Sequence, residues 1–145
     1  DPRDSNVVYV AAQGPLWSPG GDRGLYKTAD GGATWERVLH ISEDTGINDV
    51  ILDPRDPDVV YASAYQRRRH VWTLINGGPE ATVYKSTDAG GNWTLVHDVI
   101  MATDVRIHPT DPDIVFAIDD EAKYEKALSK LGIDPSHLVS AAGRA

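Results

Sequence analysis

Short apolar runs of four to seven residues recur along the chain, separated by clusters of Gly, Pro, Asp and Asn. Most runs mix β-branched or aromatic residues with polar ones, and this pattern predicts half-buried strands. We predict strands at residues 7–12, 24–28, 35–39, 47–52, 59–65, 82–86, 93–96, roughly 104–107, and 114–118. The pattern therefore indicates an all-β fold of short antiparallel strands up to residue 119.

Two different motifs alternate along these strands and reveal an internal repeat. The phrase DPRDSNVVYVAA at residues 1–12 recurs as DPRDPDVVYASA at 53–64 and as HPTDPDIVFAI at 108–118. Between the copies lie TADGGATW at 28–35 and STDAGGNW at 86–93. Because both motifs recur in the same order, the predicted unit is about 50 residues with four strands, given twice and begun a third time.

The second motif has the composition of a tight hairpin turn. An aspartate that follows a Thr or Ser can accept backbone N–H groups, and a glycine after it supplies left-handed backbone geometry. A tryptophan at the start of the next strand can pack against the hairpin. We predict two structural turns, one formed by Thr28, Asp30, Gly32 and Trp35 and the other by Ser86, Asp88, Gly90 and Trp93.

A calcium site is the alternative interpretation of the second turn. Asp88 and Asn92 offer the hard oxygen ligands that Ca²⁺ prefers. The spacing lacks the Asp-x-Asp-x-Asp-Gly ladder of a dedicated calcium loop. We therefore predict no metal site.

The two motifs together resemble a known repeat family. The turn motif at residues 26–38 and 84–96 resembles the Asp box of BNR-repeat β-propellers, a group that includes sialidases and the sortilin or Vps10 proteins. The phrase at residues 53–62 is similar to the inter-blade phrase of sortilin-like bacterial members. This resemblance implies two four-stranded antiparallel propeller blades plus the start of a third over residues 1–119. It also implies a secreted or periplasmic location.

The same resemblance implies a function in binding or assembly. The expected protein is a non-catalytic module of BNR-type blades, completed by self-association or by a partner protein. The alternative is a fragment of a secreted glycoside hydrolase of the sialidase-like type, so whether the chain is an enzyme stays open. The sialidase Arg-Ile-Pro phrase is absent, and its nearest imitation is Arg-Ile-His-Pro at residues 106–109.

Catalytic chemistry has little support in the sequence. Glycoside hydrolysis needs two carboxylates across the scissile bond, and Asp49 and Asp104 lie at comparable places in the repeat. We predict that each of the two aspartates begins a strand instead. No nucleophile elbow, phosphate-binding glycine loop or His-rich metal spacing occurs, so we predict no catalytic residue and no cofactor.

Two insertions at matching places carry the candidate binding residues. Residues 13–22 and 66–80 lengthen the same connection in the two units, and such loops often carry binding contacts in repeat proteins. Their tryptophans could stack on a sugar ring or a peptide, and their arginines could meet carboxylates or phosphates. The alternative is that they cover blade ends and offset the acidic charge. The predicted binding residues are Trp17, Arg67, Arg68, Arg69, His70 and Trp72.

Composition and charge limit the remaining classes of partner. The 145 residues include 14 basic and 22 acidic side chains, a formal charge of −8, which opposes binding to nucleic acid or anionic lipid. No apolar run is long enough to span a membrane. A protein partner or homo-oligomer is expected, and carbohydrate is the other candidate. Residues 120–145 are rich in helix formers, so they predict a separate helical tail.

Overall fold

The computed structural model describes residues 1–97, 104–108 and 110–118. Within these ranges the chain forms ten strands and no helix, which confirms the predicted all-β antiparallel class. The described part therefore includes no helix of the length and hydropathy that a membrane span requires. The strands are β1 (Val8–Ala12), β2 (Gly24–Thr28), β3 (Glu36–Leu39), β4 (Thr45–Leu52), β5 (Val60–Arg69), β6 (Leu74–Asn76), β7 (Val83–Ser86), β8 (Thr94–His97), β9 (Asp104–Ile107) and β10 (Val115–Ile118).

The strands form three antiparallel sheets whose membership differs from the predicted units. The first sheet has the order β1-β2-β3, the second β4-β5-β7-β8 with β6 added on β5, and the third β10-β9. The predicted four strands per unit, taken in chain order, are therefore wrong: β4 and β9 belong to the sheets that follow them. Over the described ranges these sheets close into neither a barrel nor a propeller.

The Asp-Pro phrase explains this shift, because it forms the hairpin turn between β4 and β5. The Asp53 N–H donates to the Val59 carbonyl at 2.9 Å, so the two strands leave the turn side by side and antiparallel. The third copy of the phrase forms the same kind of turn, in which the His108 N–H donates to the Ile114 carbonyl at 2.9 Å. A motif expected between units therefore joins strands within one sheet.

Arginines in this repeated turn connect each unit to the next. In both full copies the third residue of the turn, an arginine, binds the first residue of its own turn and the sixth residue of the following turn. The pairs are Arg3 with Asp1 (2.8 Å) and Asp58 (2.6 Å), and Arg55 with Asp53 (3.1 Å) and Asp113 (3.0 Å). We call these contacts the turn ladder.

The core lies in two layers between neighbouring sheets. Alternation along β5 places Ala62 and Ala64 toward the first sheet and Tyr61 toward the third. The first cluster consists of Leu25, Leu39, Ile47, Ala62 and Ala64, and the second consists of Tyr61, Val83 and Val105. The second sheet is thus covered on both faces, which makes it the centre of the described structure.

The second insertion is a hairpin, and the sequence interpretation missed it. The strand predicted to end at residue 65 continues as β5 to Arg69, and β6 returns along it. The three consecutive arginines interrupt the apolar and polar alternation that indicates a strand, so the sequence pattern did not reveal the extension. The predicted helical tail at residues 120–145 lies outside the described residues. The boundary near residue 119 stays a prediction.

Candidate functional site

The first Asp-Gly-Trp turn, residues 28–35, is closed by side-chain hydrogen bonds. Thr28 Oγ1 donates to Asp30 Oδ1 at 2.7 Å and accepts from the Gly32 N–H at 2.9 Å. Asp30 also accepts from the backbone and hydroxyl of Thr34 at 2.8 and 2.6 Å, and Trp35 Nε1 donates to the Gly32 carbonyl at 3.1 Å. Hydrogen bonds led by the Thr34 hydroxyl hold the pKa of Asp30 well below its usual range.

The second turn, residues 86–93, repeats the same network with different donors. Ser86 Oγ donates to Asp88 Oδ1 at 2.7 Å and accepts from the Gly90 N–H at 2.8 Å. Asn92 donates to Asp88 through its side chain at 2.6 Å and its backbone at 2.7 Å, and Trp93 Nε1 donates to the Gly90 carbonyl at 3.1 Å. These bonds, the Asn92 side chain first, lower the pKa of Asp88 to about 2.

Both oxygens of each turn aspartate are therefore engaged by the turn itself. In the part of the chain that the structure describes, no three His, Cys, Asp or Glu residues lie where they could share a metal ion. These hydrogen bonds fit a structural role for Asp30 and Asp88, and the absence of a metal site stays a prediction.

The second turn also joins two sheets, a role that the sequence did not reveal. The carbonyl of Ala89 accepts from the Tyr9 hydroxyl at 2.9 Å and from Lys27 Nζ at 2.8 Å, both in the first sheet. The Ala89 N–H donates to the Asp58 carbonyl at 2.8 Å. Ala89 holds a left-handed φ of 55° where the first turn has Gly31, and no periodic signal marks such a residue.

Ser86→Ala tests the turn network. Ser86 is buried, and its loss would leave the buried Gly90 N–H without an acceptor, so we expect a loss of about 1–3 kcal/mol in the free energy of unfolding. Ser86→Thr is the matched control, because Thr28 holds the same position in the first turn. Chemical denaturation of both variants would measure the effect. Equal stability of the alanine variant and the parent would contradict the assignment.

A buried arginine shapes the first insertion, residues 13–22. The guanidinium of Arg23 donates to the carbonyls of Gln13, Pro15 (2.5 Å) and Ser18 (3.1 Å). Arg23 is only 1% exposed, and burial holds its pKa below the ordinary value. In the sequence, a single arginine next to a glycine does not indicate that its side chain will bind the carbonyls of a loop. The loop is thereby wrapped around a fixed cation.

The structure brings the two insertions together. The second insertion forms a hairpin of residues 67–76, which we call the Arg-Trp hairpin. In its turn the His70 N–H donates to the Thr73 carbonyl at 2.8 Å. On its other side the Arg69 N–H donates to the Leu16 carbonyl at 2.7 Å. The Arg69 guanidinium lies 5.6 Å from the ring centroid of Trp17. The candidate residues Trp17 and Arg69, 52 positions apart in sequence, thus lie on one surface.

This surface is apolar and cationic at once. Trp72 is 93% exposed, Val71 is 77% exposed and Trp17 is 62% exposed. The Arg68 side chain lies on the opposite face of β5 and forms an ion pair with Asp44 at 2.9 Å. Within the described ranges, no ion pair involves the exposed side chains of Arg67 and Arg69. We call the combined feature the hairpin surface; it consists of Trp17, Arg67, Arg69, His70, Val71 and Trp72.

The two aspartates considered as a catalytic pair also meet, where β4 lies against β9. Arg106 Nη1 donates to Asp49 Oδ2 at 2.7 Å and to Asp104 Oδ1 at 2.5 Å. Burial, with the neighbouring Asp49 carboxylate, raises the pKa of Asp104 to about 7. The two acids share one guanidinium, which fits a joint between sheets rather than a cleft for a glycosidic bond.

Comparison with known proteins finds relatives of one description. A UPF0301 protein of Saccharophagus degradans is 31% identical over 132 residues, which is 91% of this chain and 55% of that protein. UPF0301 proteins of Afipia carboxidovorans and Azorhizobium caulinodans are 54% identical over 37 residues and 37% identical over 68 residues. These matches cover 26% and 47% of this chain, and 18% and 33% of those proteins. The chain spans about half the length of the first relative.

Neither of the other two comparisons finds a match. No protein-family model matches the chain. No solved structure matches it.

The predicted membership of the BNR or Asp-box propeller family is therefore wrong. The relatives are UPF0301 proteins, and no BNR family model matches. The two functions predicted from this membership are wrong as well: a BNR-type propeller module for binding or assembly, and a fragment of a sialidase-like glycoside hydrolase. The physical reason is that the turn motif is a local solution to hairpin hydrogen bonding, which any antiparallel hairpin can use. The secreted or periplasmic location rested on the same resemblance and stays a prediction.

Proposed function

We propose that the chain binds an acidic protein partner through the hairpin surface. The observation that carries the proposal is Trp72, which is 93% exposed at the end of a hydrogen-bonded hairpin. A large rigid aromatic side chain held in water costs free energy that contact with another molecule recovers. Trp and Arg are the residue types most enriched among energetic hot spots of protein interfaces.

The surface is prepared for binding before a partner arrives. The Leu16 carbonyl fixes the backbone at Arg69, and Trp17 holds the Arg69 guanidinium over its ring. Less side-chain and loop freedom is then lost on association, so more of the contact energy contributes to affinity. Buried Arg23 fixes the loop that supplies both contacts.

Charge indicates the chemistry of the partner. Arg67 and Arg69 alternate with Arg68 along β5, so their side chains project from one face of the hairpin. The side chain of Arg68 lies on the other face and forms an ion pair with Asp44. The chain carries a formal charge of −8, and this cationic feature therefore stands out from an acidic background. Acidic groups around an apolar contact would give both attraction and orientation.

The shape of the surface favours a macromolecular partner over a small ligand. Small-molecule sites are concave and bury most of their ligand. The Arg-Trp hairpin instead projects its apolar residues, with Val71 at 77% and Leu74 at 46% exposure. A projecting apolar tip with a cationic flank suits a complementary groove on a protein.

Titration calorimetry with defined probes would test the proposal. The probes are a peptide of Glu, Asp, Leu and Phe, the same peptide with Lys in place of its acids, and polygalacturonate. We expect binding to the acidic peptide alone, weakened at least tenfold by Trp72→Ala and by Arg67→Glu. Raising NaCl from about 50 to about 500 mM should weaken it further by screening the arginines.

Matched variants separate the hairpin surface from general effects. Leu95→Ala removes a 55% exposed apolar side chain from β8, and Arg37→Glu reverses an exposed charge on β3. Neither should change the affinity. Equal binding to the Lys peptide, or no effect of Trp72→Ala, would overturn the proposal. Tighter binding to polygalacturonate would replace the protein partner with an acidic carbohydrate.

A further inference from the structure

The asparagine at the end of β6, Asn76, is the only one of the chain's four asparagines that a glycine follows. Its side chain is exposed, and no hydrogen bond within the described ranges involves its amide group. By contrast, Asn92 precedes a tryptophan and its side chain donates to Asp88 at 2.6 Å. The amide group of Asn76 is therefore free to meet the backbone of the next residue.

An asparagine followed by a glycine can react with its own backbone. The Gly77 nitrogen attacks Cγ of Asn76, a five-membered imide closes, and the side-chain nitrogen leaves as ammonia with the proton that the Gly77 nitrogen releases. Water then opens the imide at either carbonyl, which leaves aspartate or, with one extra methylene in the main chain, isoaspartate. Glycine favours the attack because no Cβ hinders the close approach of its nitrogen. Water is thus the one co-reactant that the reaction needs.

The fold controls how often this attack can occur. The Gly77 N–H donates to the Gln66 carbonyl at 2.8 Å, so its nitrogen is protected while the hairpin is closed. The strand β6 has three residues, all of them exposed, and within the described ranges it pairs with β5 alone. Short elements with few buried contacts and exposed backbone hydrogen bonds open locally at small free-energy cost. Local opening of β6 therefore frees the Gly77 nitrogen without unfolding the rest of the chain.

The pair Asp30-Gly31 shows how the same chemistry is suppressed elsewhere in the chain. An aspartate before a glycine can form the same imide, with loss of water in place of ammonia. Both carboxylate oxygens of Asp30 accept hydrogen bonds, from Thr28 at 2.7 Å and from the Thr34 hydroxyl at 2.6 Å. The Gly31 N–H donates to the Asn6 carbonyl at 3.0 Å. Reaction at this turn requires several bonds to break together, whereas reaction at Asn76 requires the opening of one short strand.

We propose that Asn76 is a site of spontaneous deamidation that weakens binding at the hairpin surface. Asn76 lies directly opposite Arg67 in the register of β5 and β6. Directly opposed side chains lie on the same face of a sheet and interact, so a carboxylate at position 76 would offset the charge of Arg67. Isoaspartate would also disturb the pairing of β6, because an extra main-chain methylene breaks the two-residue period. The reaction rests on Asn76 and Gly77, whereas its effect on binding rests on the function proposed above.

Incubation of the intact protein at mildly alkaline pH, followed by peptide mapping with mass spectrometry, would test the modification. We expect residue 76 to show the mass change of an amide-to-acid conversion at least tenfold faster than Asn48 and Asn92, and isoaspartate to form at residue 76 and not at residue 30. Asn76→Gln should remove the signal. In urea the site should react faster still, because the Gly77 N–H is then unprotected.

Two results would overturn the modification. One is conversion of Asn48 or Asn92 at the same rate as Asn76 in the folded protein. The other is an unmodified Asn76 in the folded protein after the same time has converted it fully in urea.

The separated products would test the effect on binding. We expect the affinity for the acidic peptide to fall at least threefold in the aspartyl form, which Asn76→Asp reproduces, and at least tenfold in the isoaspartyl form. Asn6→Asp is the matched control, because it adds the same charge at an exposed position in the first turn and should leave the affinity unchanged. Unchanged affinity of both modified forms would overturn the effect on binding. A parent protein that does not bind the peptide would instead overturn the proposed function, and the mass spectra would still decide the modification.

Discussion

Replacing Gly46 with alanine should lower the free energy of unfolding by about 3 kcal/mol or more. A Cβ at this position would lie 2.5 Å from the Gln13 Cα, 2.5 Å from its carbonyl oxygen and 2.7 Å from its carbonyl carbon. All three are backbone atoms, so no side chain can rotate away to make room. The requirement at Gly46 is space, because its φ lies outside the left-handed region.

Gly78→Ala is the matched control for this prediction. Its Cβ would meet chiefly the end of the Gln66 side chain, which can move at small cost. Urea denaturation of the two variants should separate them clearly. Gly46→Ala should also weaken binding to the acidic peptide, because the displaced 13–22 loop carries Trp17. A Gly46→Ala variant as stable as Gly78→Ala would show that the loop does not pack on β4 as described.

Asp104→Asn should remove a pH dependence of stability. Burial and the Asp49 carboxylate raise the pKa of Asp104 to about 7 in the folded chain, against about 4 when unfolded. Between these values the folded state binds the extra proton, so stability falls as pH rises from about 4 to about 7 and is level above that. Asparagine stays neutral while still accepting from Arg106 and donating to Asp49. We expect the variant to be more stable at pH 8 by about 2 kcal/mol.

Thermal unfolding between about pH 5 and pH 8 would measure this slope. Asp113→Asn is the control, because its side chain is 83% exposed and lies outside the cluster of Asp49, Asp104 and Arg106. Parallel curves for the parent and Asp104→Asn would mean that the pKa of Asp104 is not raised in the folded chain. A steeper slope in the variant would contradict the assigned direction.

The sequence predicts well those features that depend on neighbouring residues. The strands at residues 24–28 and 104–107 have the predicted bounds, and the other predicted strands each overlap an observed one, whereas β6 was not predicted. The Thr28–Asp30 and Ser86–Asp88 hydrogen bonds follow from side chains only two residues apart. Such contacts form wherever the chain can turn, so local composition is sufficient to predict them.

Features that depend on distant partners escaped the sequence analysis. The assignment of β4 and β9 to the following sheets depends on pairing, which a repeat pattern alone does not specify. The contact between Trp17 and Arg69 depends on how two insertions pack, and Arg23 acts through carbonyls whose positions only the fold determines. Asp49 and Asp104 were candidates in sequence, but only the structure adds the shared Arg106.

The turn ladder gives the repeat a modular junction. Each link joins an arginine at the third position of one turn to an aspartate at the sixth position of the next, as in Arg3–Asp58 and Arg55–Asp113. The arginine donor and the aspartate acceptor lie on the same motif. A unit that carries both can therefore be duplicated or deleted in frame, and the junctions on either side keep their ion pairs. The third copy has Thr110 at the donor position and therefore lacks the arginine.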